Sequence, residues 1–365
     1  MNHLLTPLTV GALELPNRII MAPLTRSRAG ASRTPNALMA EYYRQRASAG
    51  LIITEATSVD PMGVGYAGTP GIWSDDQVRG WAQITDAVHA EGGHIFVQLW
   101  HVGRISDPMF LEGKTPVAPS AVRPAGHVSL VRPEKAFVTP RALELSEIPG
   151  IIAAYRRGAE NARRAGFDGV ELHGANGYLL DQFLQSKTNL RTDEYGGSVE
   201  NRARLMLEAT DAAISVWGAD RVGMHLAPRG DAHDMGDANP AETFGYVARE
   251  LGKRRIAFLC ARESLDGPQA QGGGQARPVT RLGPALKKAF GGVFIANQQF
   301  TQQTAEQTIA AGEADAVAFG VLFIANPDLP ERFATGAELN APDLTTFYAP
   351  GELGYIDYPV LATAP

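Results

Sequence analysis

Eight short apolar runs, rich in β-branched residues, recur along the chain, and longer stretches with helical spacing separate them. Continuous apolar strands that alternate with helices are typical of a parallel sheet covered on its faces. The helical periodicity is clearest over 75–91, 201–217 and 301–311. Eight strand–helix units in one chain predict an α/β fold, a closed (β/α)8 TIM barrel. The predicted strands are 18–23, 51–58, 94–99, 169–173, 222–226, 256–260, 293–296 and 316–320.

A doubly wound open sheet is the main alternative, but no glycine-rich fingerprint follows the first strand. Barrels routinely reach the observed 365 residues and no linker is visible, so we expect one domain over 1–365. Two insertions interrupt the pattern. The segment 106–140, rich in Pro, Ser and Val, predicts a hairpin or irregular cap after the third strand. The segment 265–278, which contains three consecutive glycines, predicts a mobile loop after the sixth.

The charge balance argues against polyanionic partners. The chain carries 33 Lys plus Arg against 39 Asp plus Glu, a net charge of −6. Phosphates would be repelled rather than attracted, so we expect neither nucleic acid nor a membrane surface as a partner. No apolar run is long enough to span a bilayer, and no signal peptide is apparent, which favours a cytoplasmic location.

Cys260 is the only cysteine, which excludes an intramolecular disulfide and disfavours a Cys-based metal site. We therefore expect no metal. Lone thiols of this kind fit a reducing compartment.

The end of the fourth predicted strand carries the strongest chemical signal. His173, Asn176 and Tyr178 lie within six residues at a strand-to-loop junction, on the side where barrel active sites are built. A His, an amide and a phenol together can bind a carbonyl oxygen and deliver a proton. His173 alone would more often be a satisfied polar turn residue, so the prediction depends on the group.

Two other strand ends carry weaker signals. Thr25 and Gln98 could hydrogen-bond a heteroaromatic ring, and Trp100 could wall a pocket. Taken singly, each is more readily explained as a structural residue, Trp100 in the core and Gln98 at a solvated strand end. The signal for a site is that they all lie at the carboxyl ends of predicted strands.

Six segments spread over nearly the whole chain give a specific resemblance. They are MAPLTR (21–26), the stretch 41–56, QLWHVGR (98–104), RTDEYGGS (191–198), IANPDL (324–329) and GYIDYP (354–359). With these segments the sequence resembles the old yellow enzyme family, and in particular its bacterial members that are similar to morphinone reductase.

The resemblance implies noncovalent FMN in the barrel mouth, with NADPH or NADH as the reductant, and a monomer or homodimer. It implies reduction of activated C=C bonds in enones and nitroalkenes, with nitrate esters as further acceptors. Hydride would pass through flavin N5, His173 and Asn176 would bind the substrate oxygen, and Tyr178 would donate the proton. Substrate-pocket positions are Tyr66, Trp100 and Tyr355. Cofactor positions are Pro23, Thr25, Ala56, Gln98, His225, Asn297, Gln298, Gly320 and Val321.

Three cofactor positions depart from the family pattern. After the seventh strand, Ala296–Gln298 replaces a glycine-containing turn found in several members, although other members carry Asn-Gln here. The other two lack an arginine. The family carries an arginine near the flavin N1 and O2 edge where this chain has His225, and a phosphate-binding arginine where it has Val321. Imidazole is only partly charged at neutral pH, and valine cannot pair with a phosphate. Backbone N–H groups near Gly320 and Asn297, or Arg229, could substitute.

Three hypotheses follow. The leading one is an FMN-dependent ene-reductase. The second is a flavin-poor or flavin-free barrel that acts as an isomerase or binds a ligand. The third, a non-catalytic scaffold, is disfavoured because the catalytic group is intact.

Overall fold

The computed structural model describes residues 2–230, 232–263 and 281–362. Eight parallel strands form a closed barrel, and each overlaps one of the eight predicted runs, so the predicted (β/α)8 fold is confirmed. The strands are β1 (Ile19–Met21), β2 (Leu51–Ile53), β3 (Ile95–Trp100), β4 (Gly169–Gly174), β5 (Val222–Leu226), β6 (Phe258–Arg262), β7 (Phe294–Asn297) and β8 (Ala316–Phe319).

Every barrel strand pairs in parallel with its two neighbours. The order follows the chain from β1 to β8, β8 returns to β1, and β2 pairs with β3 through Ile52 opposite Ile95. The second predicted run is divided, because a separate short strand, Thr57–Ser58, pairs with the end of β3. The carboxyl ends of all eight strands therefore open at one mouth.

Helices cover the outside of the barrel. The second begins with a capping box between Ser74 and Gln77 and buries Trp81, Ile84 and Val88, the apolar stripe expected from the sequence. The helices are α1 (Ala37–Arg44), α2 (Asp75–Ala90), α3 (Ile148–Arg164), α4 (Leu179–Leu184), α5 (Val199–Trp217), α6 (Pro240–Arg254), α7 (Gly283–Phe290), α8 (Gln302–Ala310), α9 (Val321–Ala325) and α10 (Leu329–Thr335).

An N-terminal hairpin closes the end of the barrel opposite the mouth. Its strands, Leu8–Val10 and Leu13–Leu15, contribute buried apolar side chains to the cluster that contains Phe96 and Phe258. The turn requires Gly11, which has φ +56°, and a Cβ there would lie 1.9 Å from the Asp220 carbonyl oxygen.

The insertion at 106–140 folds as the predicted irregular cap. It contains an isolated antiparallel bridge between His127 and Ala136 and buries Val128 and Phe137 against the mouth. The predicted loop at 265–278 lies outside the described residues. Within the described part of the chain, none of the helices has the length and apolar character needed to cross a membrane.

Candidate active site

The carboxyl end of β4 places the three predicted catalytic side chains at the mouth. His173 lies within the strand, Asn176 follows it in a left-handed conformation with φ 57°, and Tyr178 is the N-cap residue of α4. Gly177, at φ 80°, completes the turn, and its N–H donates to the buried Asp181 carboxylate at 2.9 Å. The turn is thus tied to the helix that follows it.

Tyr178 belongs to an aromatic box. Its ring lies edge-on to Trp100, with centroids 4.9 Å apart, and edge-on to His173 at 5.0 Å. Its hydroxyl is 2.9 Å from that of Tyr66, whose ring lies nearly parallel to Trp100. Burial raises the pKa of Tyr178 well above its usual range, so the phenol keeps its proton at neutral pH. The predicted pocket residues Tyr66 and Trp100 are therefore adjacent to the predicted proton donor.

His173 presents a hydrogen-bond donor. Burial, and to a smaller extent repulsion from His225, lowers the pKa of His173 well below the usual range, so the ring is neutral. Its Nδ1 accepts the backbone N–H of Ala175 at 3.3 Å, which places the ring hydrogen on Nε2.

Asn176 is oriented in a comparable way by a residue on β6. Its Oδ1 accepts a hydrogen bond from Nη1 of Arg262 at 2.8 Å. The amide NH₂ remains as the donor, so His173 and Asn176 both offer N–H groups from one turn. Two such donors suit an oxygen atom that gains negative charge.

A polar layer lies in the barrel interior below this turn. The Nε2 of Gln98 donates to Glu171 at 2.7 Å and lies 3.2 Å from Nδ1 of His225. Ligand atoms of Glu171, His225 and Cys260 all lie within 4.8 Å of one another, and the three side chains are buried. The sequence prediction set Cys260 aside as a lone thiol and missed this grouping.

The Gln98 amide assigns the hydrogen on His225. One amide hydrogen goes to the Glu171 carboxylate, and the second faces Nδ1 of His225, which then acts as an acceptor. The His225 hydrogen therefore lies on Nε2, a buried atom that has no hydrogen-bond partner among the residues the structure describes. In addition, the His173 and His225 rings lie nearly parallel, 5.7 Å apart.

Comparison with known proteins decides the family. The model for the NADH:flavin oxidoreductase / NADH oxidase family matches residues 3–340. The chain is 42% identical to 12-oxophytodienoate reductase 2 of Arabidopsis thaliana, over 98% of this chain and 96% of that one. It is 43% identical to a probable flavin mononucleotide-dependent alkene reductase of Leishmania infantum, with 98% and 97% covered. The structure of morphinone reductase in complex with tetrahydroNAD matches with a TM-score of 0.92 and 48% identity, covering 98% of each chain.

The chain belongs to the old yellow enzyme family.

An old yellow enzyme carries FMN, and the ring end of the site fits this cofactor. Nε2 of His225 and Nε1 of Trp100 are buried N–H groups with no partner in the described part of the chain, as expected where a ligand completes the hydrogen bonding. Pro23 and Thr25 follow β1 and are half-buried, whereas Ala56 is buried beside Tyr66 and Trp100.

The four positions predicted to face the FMN phosphate carry no charged side chain. Asn297 ends β7, and Gln298 follows it with φ 90°, a backbone conformation in which glycine is usual. Gly320 precedes α9, and Val321 is 42% exposed at its first position.

One predicted pocket residue lies apart from the aromatic box. Tyr355 is fully buried, stacks on Tyr42 at 4.1 Å and packs against the guanidinium of Arg28. These contacts join the C-terminal segment to α1, so the place of Tyr355 in the substrate pocket stays a prediction.

Three further residues at the mouth were not predicted from the sequence. Arg262 orients Asn176, His233 lies beside Tyr66 and Tyr178, and Arg281 lines a small cavity with Asn297 and Glu263. Arg262 is two residues beyond Cys260, so the two share a face of β6, but the predicted strand ended at Cys260 and did not include Arg262. His233 lies in the short 3-10 turn Ala232–Asp234 and Arg281 lies in a loop, and no periodicity marks either position.

Proposed function

We propose that this old yellow enzyme is an ene-reductase, which uses FMN and a nicotinamide nucleotide to reduce C=C bonds conjugated to a carbonyl or nitro group. The relatives named a 12-oxophytodienoate reductase and an alkene reductase support this reaction class. The complex of morphinone reductase with tetrahydroNAD supports a nicotinamide as the reductant. Nitrate esters are a further class of acceptor, because they present a similar oxygen.

His173 and Asn176 would bind the substrate oxygen. Both side chains are fixed as donors by hydrogen bonds that they accept within the protein: His173 Nδ1 accepts from the Ala175 N–H, and Asn176 Oδ1 accepts from Arg262. Since the donors are oriented before the substrate arrives, charge that develops on the oxygen is stabilised without reorganisation. Each such hydrogen bond contributes on the order of 1.5–3 kcal/mol when its acceptor is charged.

Tyr178 would protonate the α-carbon. Its phenol is neutral, lies against His173 and contacts the pocket wall formed by Tyr66 and Trp100. This juxtaposition of a neutral phenol with two oriented N–H donors is the observation that carries the proposal.

FMN would be held by residues at the carboxyl ends of six strands. When bound, it supplies the hydride that it receives from NADH or NADPH. Nε2–H of His225 would donate to the polar edge of the ring, and Gln98 would support it from below. Pro23, Thr25 and Ala56 would line the ring. Backbone N–H groups near Asn297, Gln298, Gly320 and Val321 would face the phosphate.

The variant Tyr178→Phe tests the assignment of the proton donor. We expect it to slow the oxidative half-reaction with an enone by roughly 100-fold or more, the usual contribution of a general acid. Flavin reduction by NADH or NADPH needs no phenol and should change little. Stopped-flow measurement of the two half-reactions separates these effects. Equal losses in both would refute the proton-donor role.

A further inference from the structure

A continuous set of polar contacts leads away from Tyr178. The Tyr66 hydroxyl is 2.9 Å from the Tyr178 hydroxyl and 3.4 Å from Nε2 of His233. On the other side of the imidazole, Nδ1 lies 2.7 Å from the backbone carbonyl oxygen of Asn176. The His233 and Tyr178 rings are 5.3 Å apart. His233 therefore touches both the oxygen-binding turn and the partner of the proton donor.

The carbonyl contact assigns one ring nitrogen. A carbonyl oxygen can only accept, so Nδ1 of His233 carries a hydrogen in both charge states. Nε2, which faces Tyr66, is therefore the atom that gains and loses a proton.

The protonation state of Nε2 sets the direction of the hydrogen bonds that join His233, Tyr66 and Tyr178. When His233 is neutral, Nε2 accepts from Tyr66, Tyr66 accepts from Tyr178, and the Tyr178 proton points away from the pocket. When His233 is an imidazolium, Nε2–H donates to Tyr66, Tyr66 donates to Tyr178, and the Tyr178 hydrogen is directed to the substrate. Only the second arrangement presents the proton to the α-carbon.

We propose that His233, acting through Tyr66, orients and replenishes the proton that Tyr178 delivers to the substrate. The inference rests on the proposed function. As the Tyr178 O–H bond breaks and the C–H bond forms, the Tyr66 proton moves to the Tyr178 oxygen. The Nε2 proton of His233 then moves to Tyr66. The neutral imidazole keeps its Nδ1 hydrogen, which donates to the Asn176 carbonyl oxygen, and its Nε2 takes the next proton from solvent. Each step moves only a proton, so the relay needs no electrons.

The surroundings fix the sign of the pH dependence. Burial lowers the pKa of His233, the hydrogen bond to the Asn176 carbonyl opposes this shift, and the cations Arg104 and Arg262 add to it. Arg104 also donates to the His233 carbonyl oxygen at 2.8 Å. Tyr66 and Tyr178 also face His233, and they stay neutral because burial raises both of their pKa values. His173 interacts with His233 as well, and burial lowers its pKa, so that ring is neutral.

The imidazolium is consequently a minor species at neutral pH. Above the pKa of His233 its population falls about tenfold for each pH unit. Protonation of the substrate should become slower as the pH rises.

The pH profile of the oxidative half-reaction tests the relay. We expect the wild-type rate with an enone to fall from pH 5 to pH 8. In His233→Gln and in Tyr66→Phe the rate should be lower at pH 5, by about tenfold, and nearly independent of pH, because a general acid without its proton supply loses part of its effect. His89→Gln is the matched control, since that exposed histidine on α2 pairs with Asp168, away from the mouth. An unchanged slope in both variants would overturn the relay.

A second readout does not depend on turnover. Nitrogen-15 NMR of the histidine-labelled protein should show a His233 ring that keeps its Nδ1 hydrogen and titrates at Nε2. Tyr66→Phe should shift that titration. A neutral tautomer with its hydrogen on Nε2 would overturn the relay even if the enzyme reduces enones. A wild-type protein that reduces no enone, but shows the expected tautomer, would instead contradict the proposed function.

Discussion

The sequence resemblance predicts a phosphate-binding arginine where this chain has Val321, and we predict that Val321→Arg tightens FMN binding. The side chain is 42% exposed at the first position of α9, directly after Gly320, so a longer side chain has room to extend. A hydrogen bond to a charged group contributes about 1.5–3 kcal/mol, which corresponds to roughly ten- to a hundred-fold in the dissociation constant.

The assay is a fluorescence titration of apoprotein with FMN at two ionic strengths. Val321→Gln is the matched control, because it adds length and hydrogen-bonding capacity without charge. We expect the arginine variant to bind more tightly than both wild type and the glutamine variant, with the gain partly lost at high salt. Equal affinities for all three proteins would refute the argument and show that other groups already satisfy the phosphate.

Three further predictions concern residues of the same site, and a fourth concerns the buried Glu55, which follows β2 and accepts a hydrogen bond from the Arg26 backbone N–H at 3.1 Å. The double variant His173→Ala with Asn176→Ala should weaken binding of phenols, followed by their long-wavelength charge-transfer band; unchanged affinity would mean that the pair does not form the oxygen site. Arg281→Met should weaken FMN binding by roughly tenfold, because this cation has buried N–H groups that find no partner among the described residues and lies beside Asn297; equal affinity in the same titration would exclude it as a phosphate ligand. His225→Arg should raise the flavin reduction potential by adding a fixed positive charge at the ring edge. An unchanged potential in a potentiometric titration would mean that residue 225 does not lie at the ring edge. In the wild type the free energy of unfolding should fall as the pH rises above 5, and Glu55→Gln should abolish this fall. Burial raises the pKa of Glu55 from 4.5 to about 7, so stability present below 4.5 is lost as the pH rises through 7, by roughly 3 kcal/mol. Denaturation curves at pH 5 and pH 8 that change equally in both proteins would contradict this.

The sequence was sufficient to predict the barrel and the catalytic turn, because both depend on local patterns. The eight apolar runs mark strands that are buried on both faces, and His173, Asn176 and Tyr178 are close in the chain. The insertion over the mouth could be anticipated from its composition, although its buried contacts could not.

The polar layer and the relay could not be predicted, because their members meet only when the barrel closes. Gln98 and His225 are 127 residues apart, and Tyr66 and His233 are 167 apart. Strands buried on both faces lack the alternation that would show which residues point inward. The sequence therefore does not show that Glu171 points into the barrel, although it lies on the same inner face as His173.

The absorbance spectrum of the purified protein, followed through one anaerobic cycle, tests the central claim most directly. We predict a flavin band that is released on denaturation, bleaches on addition of NADH or NADPH, and returns on addition of an enone such as 2-cyclohexenone. A folded protein that stays colourless after incubation with FMN would contradict the claim, and so would a bound flavin that nicotinamides reduce but enones do not reoxidise.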